Sequence, residues 1–194
     1  MLPLRALAVL LLPLLAAAAG AADFEAGVAA AQKGDYAAAR AQWQPLAEGG
    51  HRDAQFNLGL LHENGLGVPR DGARAAHWYR LAAEQDDRTA QAYLGEMYAK
   101  GLGVPRDDVA ALGWFRRAAE LGHPAAQYNV GLFYATGRGV EPSEVQAYAW
   151  LTVALENGAP RTDLREMLAR HMSRSSLDEA TRLVEEVRKR CRVD

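Results

Sequence analysis

The chain has 194 residues, a formal net charge of −2 and a single cysteine. The chain therefore lacks the excess of basic residues that is typical of nucleic-acid-binding domains, so we expect no nucleic-acid partner. One cysteine also excludes a framework of intramolecular disulfides. The length is sufficient for one domain with a hydrophobic core.

The first 22 residues have the pattern of an export signal. Arg5 is their only charge, an apolar run follows from Ala6 to Leu15, and small residues complete the segment up to Ala22. An apolar run of about ten residues is too short to anchor a protein across a bilayer. We therefore predict a signal peptide over 1–22, a mature protein without stable membrane insertion, and a periplasmic or secreted location in a bacterial cell.

A repeat of 36 residues occupies the middle of the chain. Residues 54–89 and 90–125 share 17 identities in 36 positions, and 10 of these persist in 126–161. Such a period predicts stacked copies of one structural unit. In the first copy the recurring positions are Ala54-Gln55, Gly59, Gly65, Gly67-Val68, Ala75, Trp78, Ala82 and Glu84.

Each copy predicts two antiparallel helices. The first, over 53–64 in the first copy, has apolar residues at helical spacing and ends at Gly65, which tolerates a positive φ. A Gly-x-Gly-Val turn separates it from a second helix, and we expect Asp71, Asp107 and Ser143 to cap that helix in the three copies. The predicted fold class is all-α: an α-solenoid of stacked antiparallel helix hairpins in 36-residue repeats, with C-terminal capping helices.

The repeated aromatic and glycine positions predict how the helices pack. Trp78, Trp114 and Trp150 occur once per repeat, so we interpret them as core residues rather than as a ligand-stacking ladder. The mid-helix glycines, of which Gly59 is the first, each cost about 1 kcal/mol relative to alanine. We expect another backbone to pass too close to these glycines for a β-carbon.

Atypical helices are predicted at both ends of the array. Residues 23–50 predict an N-terminal hairpin with a minimal turn, residues 51–160 hold the three repeats, and residues 161–194 predict capping helices that cover the last apolar face. The pattern Ser176-x-x-Glu179 predicts a capping box that opens the final helix.

The C-terminal tail is basic and contains the only cysteine. Arg188, Lys189, Arg190 and Arg192 complement the C-terminal end of a helix dipole, with contact to anionic lipid as an alternative. Cys191 is either a free thiol or the site of an intermolecular disulfide, so a dimer through Cys191 is one possibility.

No catalytic, metal or cofactor site is predicted. No two of the five histidines have the i, i+4 spacing of a metal pair on a helix, and no cysteine lies near them in the sequence. The serines lie at predicted helix starts and outside any Gly-x-Ser-x-Gly motif. The Gly-x-Gly-Val turns lack the Gly-Lys-Ser/Thr of a phosphate-binding loop, so we expect no cofactor.

The repeated pattern resembles the Sel-1-like repeat, a subfamily of the tetratricopeptide-type α-solenoids. It contains Ala-Gln-x-x-Leu-Gly, Gly-x-Gly-Val-Pro-x-Asp and Ala-x-x-Trp-Tyr/Phe-x-x-Ala-Ala over residues 54–158, and residues 23–50 resemble a shorter tetratricopeptide-like hairpin. The resemblance implies a non-enzymatic scaffold that binds a protein or peptide partner. Two alternatives stay open, a cell-envelope enzyme acting on peptidoglycan or β-lactams and a self-assembling structural protein. The chain lacks the paired cysteines of the relatives linked to β-lactams.

The resemblance also implies a binding groove on the concave side of the solenoid, lined by the first helix of each hairpin. Phe56 and Tyr128 are the expected anchors, with packing between repeats as the alternative. Acidic lining residues favour a partner that carries lysine or arginine. The implied lining residues are Asp53, Phe56, Leu60, Glu63 and Asn64, then Thr89, Ala92, Glu96 and Lys100, then Tyr128, Leu132 and Thr136.

Overall fold

The computed structural model describes residues 24–160 and 162–191, which form ten α-helices and no strand. The predicted signal peptide and Arg192 lie outside these residues. Within them, no helix combines the length and apolar character needed to cross a membrane. The helices are α1 (24–32), α2 (Tyr36–Glu48), α3 (Arg52–Asn64), α4 (Gly72–Ala83), α5 (Arg88–Lys100), α6 (Asp108–Glu120), α7 (Pro124–Thr136), α8 (Glu144–Glu156), α9 (Leu164–His171) and α10 (Arg174–Arg190).

The described chain divides into two compact units, one ending at Leu81 and the other beginning at Ala82. In the first unit, α2 packs against α3. In the second unit, α5, α6, α7 and α8 each pack against the next helix, and α10 packs against α8. The ring of Phe56 on α3 also contacts that of Tyr79 on α4, so the hairpin predicted from the repeat is present in each unit.

Helix ends follow the predicted capping residues. The first helix of each repeat ends at a left-handed glycine, and Gly65 with φ 70° donates its N–H to the carbonyl of Leu61. Asp71 accepts a hydrogen bond from the N–H of Arg74 at 2.9 Å and so caps α4. Asp107 and Ser143 cap α6 and α8 in the same way, which confirms all three predicted caps.

The second glycine of the turn lies against the start of the preceding hairpin's second helix. In the first unit, a β-carbon on Gly67 would lie 2.7 Å from the carbonyl carbon of Tyr36. In the second unit, a β-carbon on Gly139 would lie 2.3 Å from the carbonyl oxygen of Asp108 and 2.8 Å from the nitrogen of Val109. These two turns are thus fixed in contact with a neighbouring backbone, which leaves no space for a side chain at Gly67 or Gly139.

The mid-helix glycines make a different contact from the one predicted. A β-carbon on Gly59 would lie 2.5 Å from the ring of Tyr79, and one on Gly95 would lie 2.7 Å from the ring of Phe115. In the third copy, a β-carbon on Gly131 would lie 2.7 Å from the side chain of Leu151 and 3.2 Å from the carbonyl oxygen of Ala147. The prediction of a passing backbone was wrong for the first two copies, because large side chains fill the space.

In the second helix of each repeat, the largest fully buried side chain is the one after the tryptophan. Tyr79, Phe115 and Leu151 are at most 2% exposed, whereas Trp114 is only half-buried. The guanidinium carbon of Arg117 lies 4.7 Å from the centre of the Trp114 ring. The prediction of a buried tryptophan holds for Trp78 and Trp150 and was wrong for Trp114.

A buried glutamine explains the Ala-Gln pair of the repeat. The side-chain amides of Gln55, Gln91 and Gln127 each donate to the backbone carbonyl eight residues earlier, at 3.0, 2.9 and 3.0 Å. All three are at most 4% exposed. These carbonyls also accept a backbone N–H at their own helix end, and the glutamine adds a second donor from the next hairpin.

The last helix begins earlier than predicted, and its basic residues contact α8. Ser173, not Ser176, caps α10 and accepts the N–H of Ser176 at 3.1 Å. The guanidinium of Arg188 donates to the Glu156 carboxylate at the end of α8. Arg190 lies over the ring of Trp150 at 5.7 Å. These contacts dock α10 onto α8, so two of the tail cations are already engaged within the unit.

The first helix of the third repeat begins at a histidine whose protonation is expected to affect folding. His123 caps α7, because its Nδ1 accepts the N–H of Ala126 at 3.2 Å. Burial and Arg88 lower the pKa of His123, against the opposing charges of Asp87 and Glu96. The folded protein therefore takes up this proton less readily than the unfolded chain, and protonation would remove the acceptor.

We expect the free energy of unfolding to fall as the pH drops from about 7 to about 5. The measurement is urea unfolding by circular dichroism at several pH values, with His123→Asn as the comparison. Asparagine is a good cap that does not titrate in this range, so its curve should fall less steeply. Both proteins contain the other titrating groups, such as His62. Parallel curves would therefore show that His123 does not contribute to the pH dependence of the free energy of unfolding.

Candidate functional site

The described residues contain no cluster suited to a metal ion. No group of three or more histidine, cysteine, aspartate or glutamate side chains comes together within them. His51 and His123 cap helices, and His62 is 5% exposed. Burial and nearby Arg74 lower the pKa of His62.

The predicted groove residues of the first unit all lie on α3. The ring of Phe56 lies 5.6 Å from the ring of Tyr79 on α4, and both Phe56 and Glu63 are half-buried. The hydroxyl of Tyr79 donates to the Glu63 carboxylate at 2.6 Å. Glu63 therefore takes part in packing α3 against α4, so a substitution there affects folding as well as any partner.

Of the other three groove residues of α3, only Asn64 is exposed. Asp53 is half-buried and forms an ion pair with Arg52 at 3.0 Å. Leu60 is half-buried, and its carbonyl accepts the side-chain amide of the exposed Asn64 at 2.9 Å. This part of α3 presents polar side chains that already have partners in their own helix.

In the second unit, α5 presents a charged face. Glu96 and Lys100 form an ion pair at 2.6 Å, with side chains 50% and 60% exposed. Thr89 is half-buried in the first turn, beside the Asp87 cap. Ala92, expected in the groove, is instead 7% exposed and packs in the core of the unit, because its small side chain faces the neighbouring hairpin.

Sequence reasoning missed Tyr93, which is 36% exposed on α5. Tyr93 lies three residues before Glu96 and seven before Lys100, so helical geometry places the three on one face. The available signal was the aromatic residue itself, because the charged groove residues Glu96 and Lys100 follow it at i+3 and i+7. This face combines an aromatic ring with a weak surface ion pair.

The equivalent face of α7 is less polar. Tyr128 and Leu132 are half-buried, and Thr136 is exposed with its hydroxyl donating to the carbonyl of Leu132 at 2.7 Å. The 36-residue period places Leu132 where α5 has Glu96, and Thr136 where α5 has Lys100. The α5–α7 face, defined by Tyr93, Glu96, Lys100, Tyr128, Leu132 and Thr136, therefore has a charged part and an apolar part.

Cys191 ends α10 and is half-buried. Its side chain packs against the core cluster of the second unit, and burial raises the pKa of its thiol. A raised pKa lowers the thiolate fraction and therefore the rate of disulfide formation. The dimer through Cys191 stays a prediction.

Comparisons with known proteins agree with the repeat and the fold. A family model described as Sel1 repeat matches residues 52–87, 89–123 and 124–158. The crystal structure of a Sel1 repeat protein from Oxalobacter formigenes is 32% identical, with a TM-score of 0.71, and the match covers 90% of this chain and 74% of that one.

A second similar structure is c5321, a protective antigen present in uropathogenic Escherichia coli strains that displays an SLR fold. It is 25% identical, with a TM-score of 0.56, and the match covers 88% of this chain and 46% of that one. A search of curated proteins found no match. The predicted fold class, an all-α solenoid of helix hairpins, is confirmed by these structures together with the helices described above.

Proposed function

This chain belongs to the Sel1 repeat family, whose repeats mediate protein–protein interactions, and from that premise we propose that it is an exported, non-enzymatic scaffold that binds a protein or peptide. The proposed contact surface in the second unit is the α5–α7 face. Export rests on the signal-like pattern of residues 1–22, and a periplasmic or secreted location follows from it.

The observation that carries this proposal is the exposed face of α5. A tyrosine that is 36% exposed lies beside an ion pair whose side chains are at least half-exposed. Tyrosine gives a large contact area with a polar end, and binding energy concentrates in such residues. The Glu96–Lys100 pair contributes little to folding, so a partner can replace one of its members at small cost.

The chemistry of the face indicates the kind of partner. Tyr128 and Leu132 on α7 offer apolar contact, while Glu96 on α5 offers a carboxylate for a cation. An amphipathic helix or extended peptide with a lysine or arginine next to an apolar residue satisfies both. Phe56 and Glu63 on α3 are poorer candidates for this contact because Tyr79 already engages them.

The test is capture of a partner from the cell-envelope fraction, followed by measurement of its affinity for variants. We expect the double variant Tyr93→Ala, Glu96→Gln to bind its partner about tenfold or more weakly, since truncation of one interface hot spot commonly has this effect. Both residues are exposed, so far-UV circular dichroism should show unchanged helicity.

The matched control changes an exposed apolar residue and an exposed glutamate on α6, which is not part of the α5–α7 face. In Val109→Ala, Glu120→Gln, both positions lie on α6, and Val109 is 68% exposed. This control should bind as the unmodified protein does. Equal affinity of the two double variants would show that the partner does not use the α5–α7 face.

A further inference from the structure

A buried histidine in the first unit has a ring nitrogen without a hydrogen-bond partner. His62 lies on α3 and is 5% exposed. Its Nδ1 atom is shielded from water and forms no hydrogen bond with any described residue. The neutral imidazole tolerates these surroundings, because it carries one proton and can hold that proton on Nε2. The imidazolium holds a proton on both nitrogens, so Nδ1 would become a buried donor that lacks an acceptor.

Three charged side chains of the described residues act on the His62 ring: Arg40 from α2, Asp71 before α4, and Arg74 from α4. Asp71 is held beside α3, since its N–H donates to the backbone carbonyl of His62 at 2.9 Å. Its carboxylate is occupied by Arg74, whose backbone N–H and Nε lie 2.9 and 3.3 Å from the two carboxylate oxygens. The carboxylate that could compensate a charge on His62 is therefore already paired.

The surroundings of His62 oppose its protonation. Burial removes the water that would solvate the charge, and the two guanidinium groups repel it, so the pKa of His62 is lowered against the pull of Asp71. Glu63 follows His62 on α3, but its carboxylate accepts the hydroxyl of Tyr79 at 2.6 Å. The folded first unit therefore takes up this proton less readily than the unfolded chain, and its stability is lost as the pH falls below about 6.5.

The other two repeats have a residue at this position that does not titrate in the same range. The 36-residue period aligns His62 with Tyr98 and Tyr134. The Tyr134 hydroxyl accepts a hydrogen bond from the guanidinium of Arg116 on the preceding hairpin. Tyrosine stays neutral below about pH 9, so among the three repeats acid changes the charge at this position in the first alone.

His123 in the second unit has neighbours that partly favour its charged form. It is half-buried, and the carboxylates of Asp87 and Glu96 oppose the lowering of its pKa by burial and Arg88. Two carboxylates thus act on the His123 ring and one on the His62 ring. We therefore expect acid to destabilise the first unit more than the second.

We propose that His62 is an acid switch that opens the first unit at a pH where the second unit stays folded. Protonation places an uncompensated charge where α3 meets the charged groups of α2 and α4, so the contacts of α3 loosen. The contacts of Phe56 and Glu63 with Tyr79 are lost with them, and a ligand held by α3 would be released on acidification. The switch is separate from the α5–α7 face and operates whether or not that face binds a partner.

Hydrogen exchange of backbone amides tests the switch in the full chain. Exchange is followed by mass spectrometry at pH 7 and pH 5, and each rate is compared with the intrinsic rate of an unfolded amide at that pH. We expect the protection of α3, residues 52–64, to fall by about tenfold or more, because an unpaired buried charge favours the open state. Protection of α6 to α8, residues 108–156, should fall less. Equal falls in the two units, or no fall in α3, would overturn the proposal.

Two variants identify the histidine that responds. His62→Tyr gives the first repeat the residue of the other copies, and His62→Met supplies a flexible apolar side chain that fits irregular spaces. In either variant, the protection of α3 should change by less than about threefold between pH 7 and pH 5. Both retain His51, the N-cap of α3, so an undiminished fall in them would assign the opening to another group and contradict the proposal. The matched control His77→Gln changes an exposed histidine on α4 and should respond as the unmodified protein does.

Discussion

Replacing Phe115 with alanine is expected to lower the free energy of unfolding of the second unit by about 3–5 kcal/mol. The Phe115 side chain is 2% exposed, fills the space beside Gly95, and meets the ring of Phe133 edge-on at 5.5 Å. Alanine would leave a cavity between three helices, because the neighbouring hairpins can close only part of it. Urea unfolding followed by far-UV circular dichroism measures the change.

The neighbouring residue is the matched control. Trp114 is larger than Phe115, but it is only half-buried and contacts Arg117 from the outside. We expect Trp114→Ala to lose about 1–2 kcal/mol, from partial burial and the lost cation–π contact. An equal or larger loss for Trp114→Ala than for Phe115→Ala would reverse our assignment of the core.

Gly139→Ala is expected to destabilise the second unit by about 2–5 kcal/mol. Gly139 has φ 66°, a conformation that costs about 1–2 kcal/mol for a residue with a β-carbon. The new atom would also lie 2.3 Å from the Asp108 carbonyl oxygen, and relieving such a contact adds about 1–3 kcal/mol. The same unfolding measurement applies.

Gly158→Ala separates the two contributions. Gly158 also has a positive φ, of 92°, but no atom lies within 4 Å of a β-carbon built there. Its substitution should therefore show the conformational cost alone, about 1–2 kcal/mol. If both variants lose the same amount, then the third turn does not press against α6 as the structure shows.

Most helix boundaries were predictable because single residues set them. A glycine that accepts positive φ ends the first helix of each repeat, and Asp71, Asp107 and Ser143 supply side-chain oxygens at the start of the second. These signals act over three or four residues, so the sequence contains all of their physics. The start of α10 was misplaced because Ser173 and Ser176 both suit a cap, and only packing selects between them.

The packing inside a hairpin was less predictable. Trp114 and Phe115 are adjacent, and helical periodicity alone allows either to face the core. The rotation of the helix decides this choice, and it depends on which side chain fits against Gly95 on the opposite helix. Phe115 fits there, and the residue after the tryptophan is buried in all three copies.

The candidate site was predictable in register but not in its internal contacts. Of the groove residues that the resemblance implied on α5 and α7, Glu96, Lys100 and Thr136 are exposed, whereas Ala92 is buried. The bond between Glu63 and Tyr79 joins two helices and depends on their separation, which no local pattern reports. Tyr93 was missed because its position in the first and third copies is an asparagine, so the repeat gave it no emphasis.

The hydrogen bond from each buried glutamine to the preceding hairpin also restricts how the length of the repeat array can change. The amide of Gln127 reaches the carbonyl of Ala119 across the junction between two hairpins, and one added residue there would turn the amide away from its acceptor. The Gly139 contact with α6 restricts the turn inside the hairpin in the same way. An insertion at either junction is expected to break one of these contacts, whereas an added 36-residue copy preserves both. Duplication of a whole repeat is then the change that adds surface with the least loss of packing.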